Sequence, residues 1–146
     1  MFMESIKAFS KKKEREKIMK IILTYGTFDL LHYGHIEYLK KAKQMGDFLI
    51  VGVSNDKFNQ EKGKNAYFTF EKRKEMISAI RYVDKVIEQS SFEQKKDDIL
   101  KYNVDILVSS EDWEGKYDYL KDICEVIYLP RYPEISTTQI KKDLKI

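Results

Sequence analysis

Residues 48–54, FLIVGVS, form one continuous apolar run. That pattern belongs to a strand covered on both faces, as in a parallel sheet flanked by helices. The rest of the chain keeps a matching alternation. Further strands are predicted at about 20–25, 82–88, 104–110 and 124–130. Between them the spacing predicts a helix from Leu31 or His32 to Met45, with Gly46 as its stop, and another from Thr69 as cap through Ile80. Ser91 caps FEQKKDDILKYN, ending at Asn103; WEGKYDYLKDI (113–123) reads as a short helix; Ser136 caps the last. Residues 55–68 are read as an irregular loop, longer than most connections. The alternation predicts a single α/β domain: a doubly wound, parallel five-stranded sheet with helices on both faces and right-handed crossovers. Ligands in such sheets sit beyond the strands' carboxyl ends.

At 146 residues the chain is long enough to bury an ordinary core as one domain. No apolar run approaches the ~20 residues that span a bilayer, and no signal-peptide pattern is found, so no membrane insertion is expected. The single cysteine, Cys124, fits a reducing, cytoplasmic setting. It sits in the apolar run CEVIYL and reads as a buried strand residue, not a nucleophile. A net charge of +3 does not imply a nucleic-acid partner. The lysines do crowd the start, and residues 1–19 are read as a basic extension without catalytic duty ahead of a domain at 20–146.

The chemistry concentrates in residues 24–35, TYGTFDLLHYGH, between the first strand and first helix. The only two histidines, His32 and His35, are three apart, so both lie on one face of a first helical turn. Free backbone N–H groups and the helix dipole favour an anion there, and Gly34 permits close approach. A zinc site would need further ligands, and there is no third histidine and only one cysteine. A phosphate site with two histidine donors is the favoured reading. Asp29 reads as a carboxylate that stabilises the turn. No Gly-x-Gly-x-x-Gly follows the first strand, which argues against a dinucleotide-binding dehydrogenase.

GTFDLLHYGH resembles the His-x-Gly-His signature of the nucleotidyltransferase superfamily, and of its cytidylyltransferases in particular. RYPEISTTQIKKDL (131–144) resembles a second family segment, Arg-x-x-x-Ile-Ser-Thr-Thr. RYVDKVI (81–87) and EDWEGKYDYLKD (111–122) resemble the small bacterial glycerol-3-phosphate cytidylyltransferases more than the choline- or ethanolamine-phosphate enzymes. The likeness spans about residues 20–144.

The resemblance implies a Rossmann-like fold and attack by a phosphomonoester on the α-phosphorus of CTP, yielding CDP-glycerol and pyrophosphate, with Mg2+ carried on the CTP phosphates. It implies His32, His35, Lys62 and Arg131 as catalytic residues. The nucleotide would be held by Thr27, Phe28, both histidines, Lys64, Asp112, Arg131, Ser136, Thr137 and Thr138, and the acceptor by Lys62 and Lys95. Arg81 and Asp84 are expected to be architectural, as an ion pair, with Arg81 also a candidate to reach the site. The partners implied are CTP, a small phosphorylated polyol and a second copy of the chain in a homodimer. The implied role is supplying teichoic acid or capsule polymers. Ser110 and Glu134 stand where the family commonly has glycine, which bears on base recognition and on the path of the last loop. Two alternatives remain: a different acceptor (phosphoethanolamine, phosphocholine, a sugar phosphate or another polyol phosphate), or a nucleotide-binding module with reduced catalysis.

Overall fold

The computed structural model describes residues 18–133 and 135–146; most of the basic extension, and Glu134, lie outside the described residues. The strands are β1 (Ile21–Gly26), β2 (Phe48–Ser54), β3 (Lys85–Gln89), β4 (Ile106–Ser110) and β5 (Glu125–Leu129). The helices are α1 (Tyr33–Gln44), α2 (Asp56–Glu61), α3 (Phe70–Ser78), α4 (Gln94–Lys101) and α5 (Thr137–Leu144). All strand pairs are parallel, in the order β3-β2-β1-β4-β5. This is the doubly wound α/β sheet that the alternation predicts.

Alternate residues of the central strands feed two cores. Ile22, Leu49, Val51 and Val53 pack with Leu39 and Ala42 of α1 and Phe70 and Ile77 of α3. Leu23, Ile50 and Leu107 pack on the opposite face with Ile99 of α4, Tyr117 and Leu120. β2 is buried from Leu49 to Ser54, so its unbroken apolar run follows from having a core on each side.

Aspartates set several strand starts. Asp84 accepts from the Leu49 amide (2.8 Å) and Asp105 from the Ile21 amide (2.8 Å). β3 opens at Lys85, later than the expected start at residue 82, and the residues before it form a turn.

Several local readings change, among them the start of α4: its N-cap is Glu93, while Ser91 Oγ accepts from the Gln94 amide at 3.2 Å. Residues 55–68 contain the short helix α2, capped by Asn55, whose side chain accepts from the Phe58 amide at 2.7 Å. Six residues are too few to show a helical period. WEGKYDYLKDI is no continuous helix: 3₁₀ turns at Glu111–Trp113 and Asp118–Leu120 take its place. The amides of Lys116 and Asp118 reach back three residues, to Trp113 and Gly115, which tightens the chain and prevents an α-helix from propagating. Cys124 precedes β5 and is half-buried, its thiol directed at the Leu120 carbonyl oxygen.

Candidate active site

The order β2-β1-β4 places the switch point of the winding at the end of β1, and an open crevice of about 700 Å³ lies there. Every residue nominated from the sequence for CTP or acceptor lines it. Those residues come from segments following all the strands except β3 in the case of CTP, while Lys95 reaches in from the segment after β3.

Beyond Gly26 the chain turns through two left-handed residues, Phe28 (φ 52°) and Leu30 (φ 47°). Side chains of this size adopt that conformation only where surrounding contacts impose it. Here Arg73 donates to the Thr27 carbonyl (2.9 Å) and the Thr27 hydroxyl to Asn59 (3.0 Å). The Thr137 hydroxyl donates to the Asp29 carbonyl at 2.9 Å. Asp29 is buried and accepts from the Tyr67 and Phe68 amides (2.6 and 3.0 Å). Lys141 pairs with it at 3.3 Å. Those amide bonds and Lys141 outweigh the desolvation that pushes the other way, and hold the Asp29 carboxyl below the usual range. It is thus the turn-stabilising carboxylate expected from the sequence.

The histidines cap α1 reciprocally. His32 is the N-cap, in extended conformation, and its Nδ1 accepts from the Gly34 amide at 3.0 Å. His35 Nδ1 accepts from the His32 amide at 3.3 Å. The rings stack at 3.8 Å, with the Phe28 ring meeting His35 edge-on. Because each Nδ1 is an acceptor, the neutral rings carry their proton on Nε2, leaving that N–H for a ligand. Burial pushes both pKa values down, that of His35 to about 3 with the neighbouring His32 adding to the effect. Gly34 is required by this geometry: a Cβ there would sit 2.8 Å from His32 Cε1 and 3.0 Å from its Nδ1.

Across the crevice, Lys62 caps the carboxyl end of α2 and donates to Ser54 Oγ at 3.1 Å, with Nζ 4.4 Å from the Phe58 ring. Burial, with the charges of Lys64, Lys95 and Arg73, draws its pKa down to about 8. Lys95 is buried on α4 beneath aromatic rings, and desolvation draws it down to about 8 as well. Lys64 follows in the same loop. At the other end Arg131 pairs with Asp112 (3.0 Å) and Ser136 caps α5, accepting from the Gln139 amide at 3.0 Å. Ser110 closes β4 with φ −79°, a backbone that needs no glycine.

The expected Arg81–Asp84 pair does not form. Asp84 bonds Lys43 and the Leu49 amide, while Arg81 stacks on and bonds the Tyr82 phenol, and Arg81 is not among the residues lining the crevice. Adjacent Tyr82 offers Arg81 a partner, and the start of β2 takes the Asp84 carboxylate.

Sequence reasoning missed Arg73, Asp56, Asn59 and Lys141. Arg73 is fully buried and donates to Phe68 O, Thr27 O, Ser54 O and Asp56 at 2.8–2.9 Å. A signal was available: Arg73 lies in the buried stripe Phe70–Arg73–Ile77 of α3, and a charge in an apolar stripe calls for buried partners.

Neutral N–H donors, lysines and a helix N-terminus facing one crevice suit transfer between phosphates, where charge stabilisation and positioning supply most of the catalysis. The cytidylyltransferase-like family matches residues 23–143. The glycerol-3-phosphate cytidylyltransferase of Bacillus subtilis is 56% identical over 86% of this chain and 98% of its own length. That of Staphylococcus aureus is 57% identical over 86% and 96% respectively. Among solved structures, a lipopolysaccharide core biosynthesis protein from Thermoplasma volcanium superposes with a TM-score of 0.70 at 27% identity, covering 78% of this chain and 98% of that one. With the histidine turn, the parallel sheet and these relatives together, the chain belongs to the cytidylyltransferase-like family and is a nucleotidyltransferase.

Proposed function

We propose that this protein transfers the cytidylyl group of CTP to glycerol 3-phosphate, forming CDP-glycerol and pyrophosphate. The observation that carries the acceptor is 56–57% identity to two glycerol-3-phosphate cytidylyltransferases across 96–98% of their lengths. A phosphate oxygen of the acceptor attacks the α-phosphorus; the bond to the β-phosphate oxygen breaks and pyrophosphate leaves. No general base is required, because the acceptor phosphate is already anionic at neutral pH.

The Nε2–H groups of His32 and His35 donate to the triphosphate and to the charge developing at the α-phosphate. Lys62 bridges the α-phosphate and the acceptor phosphate, Lys64 takes the nucleotide phosphates, and Lys95 takes the acceptor. Arg131, Ser136, Thr137 and Thr138 cradle the triphosphate at the start of α5. The turn backbone at Thr27 and Phe28 supports the nucleotide, and Asp112 ties the Glu111–Trp113 turn to Arg131.

The acidic side chains lining the crevice, among the described residues, are Asp29 and Asp112, and both are engaged by cations. Among the described residues no group of three or more potential ligands surrounds a metal position. This donor set fits Mg2+ coordinated by the CTP phosphates themselves, where it would neutralise part of their charge. We also propose a cytoplasmic homodimer supplying teichoic acid or capsule polymers, its dimeric state to be checked by sedimentation.

The decisive experiment is incubation with CTP, Mg2+ and a panel of glycerol 3-phosphate, phosphoethanolamine, phosphocholine and sugar phosphates. Glycerol 3-phosphate is expected to exceed phosphocholine and phosphoethanolamine in catalytic efficiency by at least ~10²-fold. Equal use of all acceptors overturns the assignment of glycerol; absence of any CDP-linked product overturns cytidylyl transfer.

A further inference from the structure

The Lys95 ammonium lies 4.7 Å from the ring centre of Tyr25, 4.7 Å from that of Tyr117 and 5.2 Å from that of Phe92. Among the described residues it forms no ion pair. Asp98, one turn further along α4, instead accepts from the Tyr25 hydroxyl (2.6 Å) and from Gln94 Nε2 (2.9 Å). Aromatic faces converging on a cation are the arrangement by which proteins hold quaternary ammonium ligands. Here the cation belongs to the protein.

The box does not depend on the lysine for its shape. The Tyr25 hydroxyl is fixed by Asp98, and its ring lies on Gly52 so closely that a Cβ there would fall 2.3 Å from Tyr25 Cδ1. Phe92 packs edge-on against Phe58 at 4.8 Å, and Tyr117 is buried in the second core. Tyr25, Phe92, Tyr117 and Lys95 all line the crevice, so the box opens on it.

We infer that Lys95 is a specificity-determining residue: its ammonium fills the box of Tyr25, Phe92 and Tyr117 and excludes phosphomonoesters with a cationic head while admitting neutral, hydroxylated ones. This rests on the glycerol-phosphate reading and supplies its basis for selection. A trimethylammonium head would have to displace a cation of the same sign from a poorly solvated site, a repulsive element aimed at the wrong substrate. Lys62, with its ammonium over the Phe58 ring, adds a second positive charge near the same pocket. Although burial draws the pKa of Lys95 down to about 8, it remains mainly protonated at neutral pH. Hydroxyl groups of a polyol accept hydrogen bonds from the same ammonium.

The test compares phosphocholine with its neutral isostere, 3,3-dimethylbutyl phosphate, as inhibitors of CDP-glycerol formation. In the wild-type protein the neutral compound is expected to inhibit at about tenfold lower concentration; in Lys95→Ala the order should reverse, because the emptied box gains a cation–π ligand. Equal inhibition of the wild type by both compounds overturns the inference, as does a Lys95→Ala effect of the same size on both. The wild-type comparison decides the matter if Lys95→Ala does not fold or makes too little CDP-glycerol to inhibit. If the wild type makes no CDP-glycerol, the functional reading fails separately. Direct binding of the two compounds then tests the box by fluorescence of Trp113, the sole tryptophan, whose ring lies 6.1 Å from that of Phe92 and 6.0 Å from that of Tyr117.

Discussion

The guanidinium of Arg73 donates to the carbonyl of Thr27 across 2.9 Å, tying the middle of α3 to the turn that presents the histidines. Its other N–H groups hold Phe68 O, Ser54 O and Asp56, so one buried cation fixes the β1 turn, the end of β2 and the entry to α3. Arg73→Met should destabilise the protein by about 3–5 kcal/mol, since it strands the Phe68, Thr27 and Ser54 carbonyl oxygens around a fully buried side chain. Arg73→Lys should recover only part of this, because a point charge cannot reproduce the planar fork. Urea denaturation checks both, and an unchanged midpoint in Arg73→Met would show that the network contributes nothing.

His32→Ala and His35→Ala should each lower kcat by ~10²–10⁴ with the fold intact, as expected on losing a preorganised donor at developing charge. Gly34→Ala should act on the same step by pressing on the His32 ring, with a smaller loss of ~10–10² from misplacement alone. Turnover with CTP, alongside circular dichroism, reads these out. Near-normal kcat in both histidine variants would refute the assigned roles.

Lys62 and Lys95 each give up a proton from about 8, below the ordinary lysine range. The acceptor kcat/KM should therefore decline as pH rises through about 8, where the charge that binds the acceptor is lost. A profile flat to pH ~9.5 would contradict this assignment.

His35 carries the opposite consequence for stability. In the folded protein it takes up a proton only at about 3, whereas the unfolded chain takes one up near the ordinary histidine value. Protons thus favour the unfolded state as pH falls below ~6.5, and stability decreases. Between pH 7 and 5 the melting temperature should drop more for the wild type than for His35→Asn; identical slopes would refute the burial argument.

Deleting residues 1–18 should leave the KM for CTP within a few-fold of the full chain, because the described lining of the crevice runs from Tyr25 to Lys141. Loss of CTP binding in a folded truncation would assign those lysines to the triphosphate.

The apolar run at β2 and the histidines flanking Gly34 were legible because each rests on neighbours within a turn or two. Periodicity and capping act over that range. The helix α2 escaped because six residues carry no period, and the 3₁₀ turns because their tightening depends on how Tyr117 and Leu120 seat in the second core. The sequence determined the alternation of elements, and with it that motifs following different strands would meet at one edge of the sheet. Only the tertiary structure decided which side chains hold that edge together. Arg73 meets Thr27 from 46 positions away and Lys141 meets Asn65 from 76. Tyr25, Phe92 and Tyr117 close around Lys95 from three separate segments. Such partners are selected by burial, since a charge removed from water must find donors, acceptors or ring faces wherever the crossovers bring them.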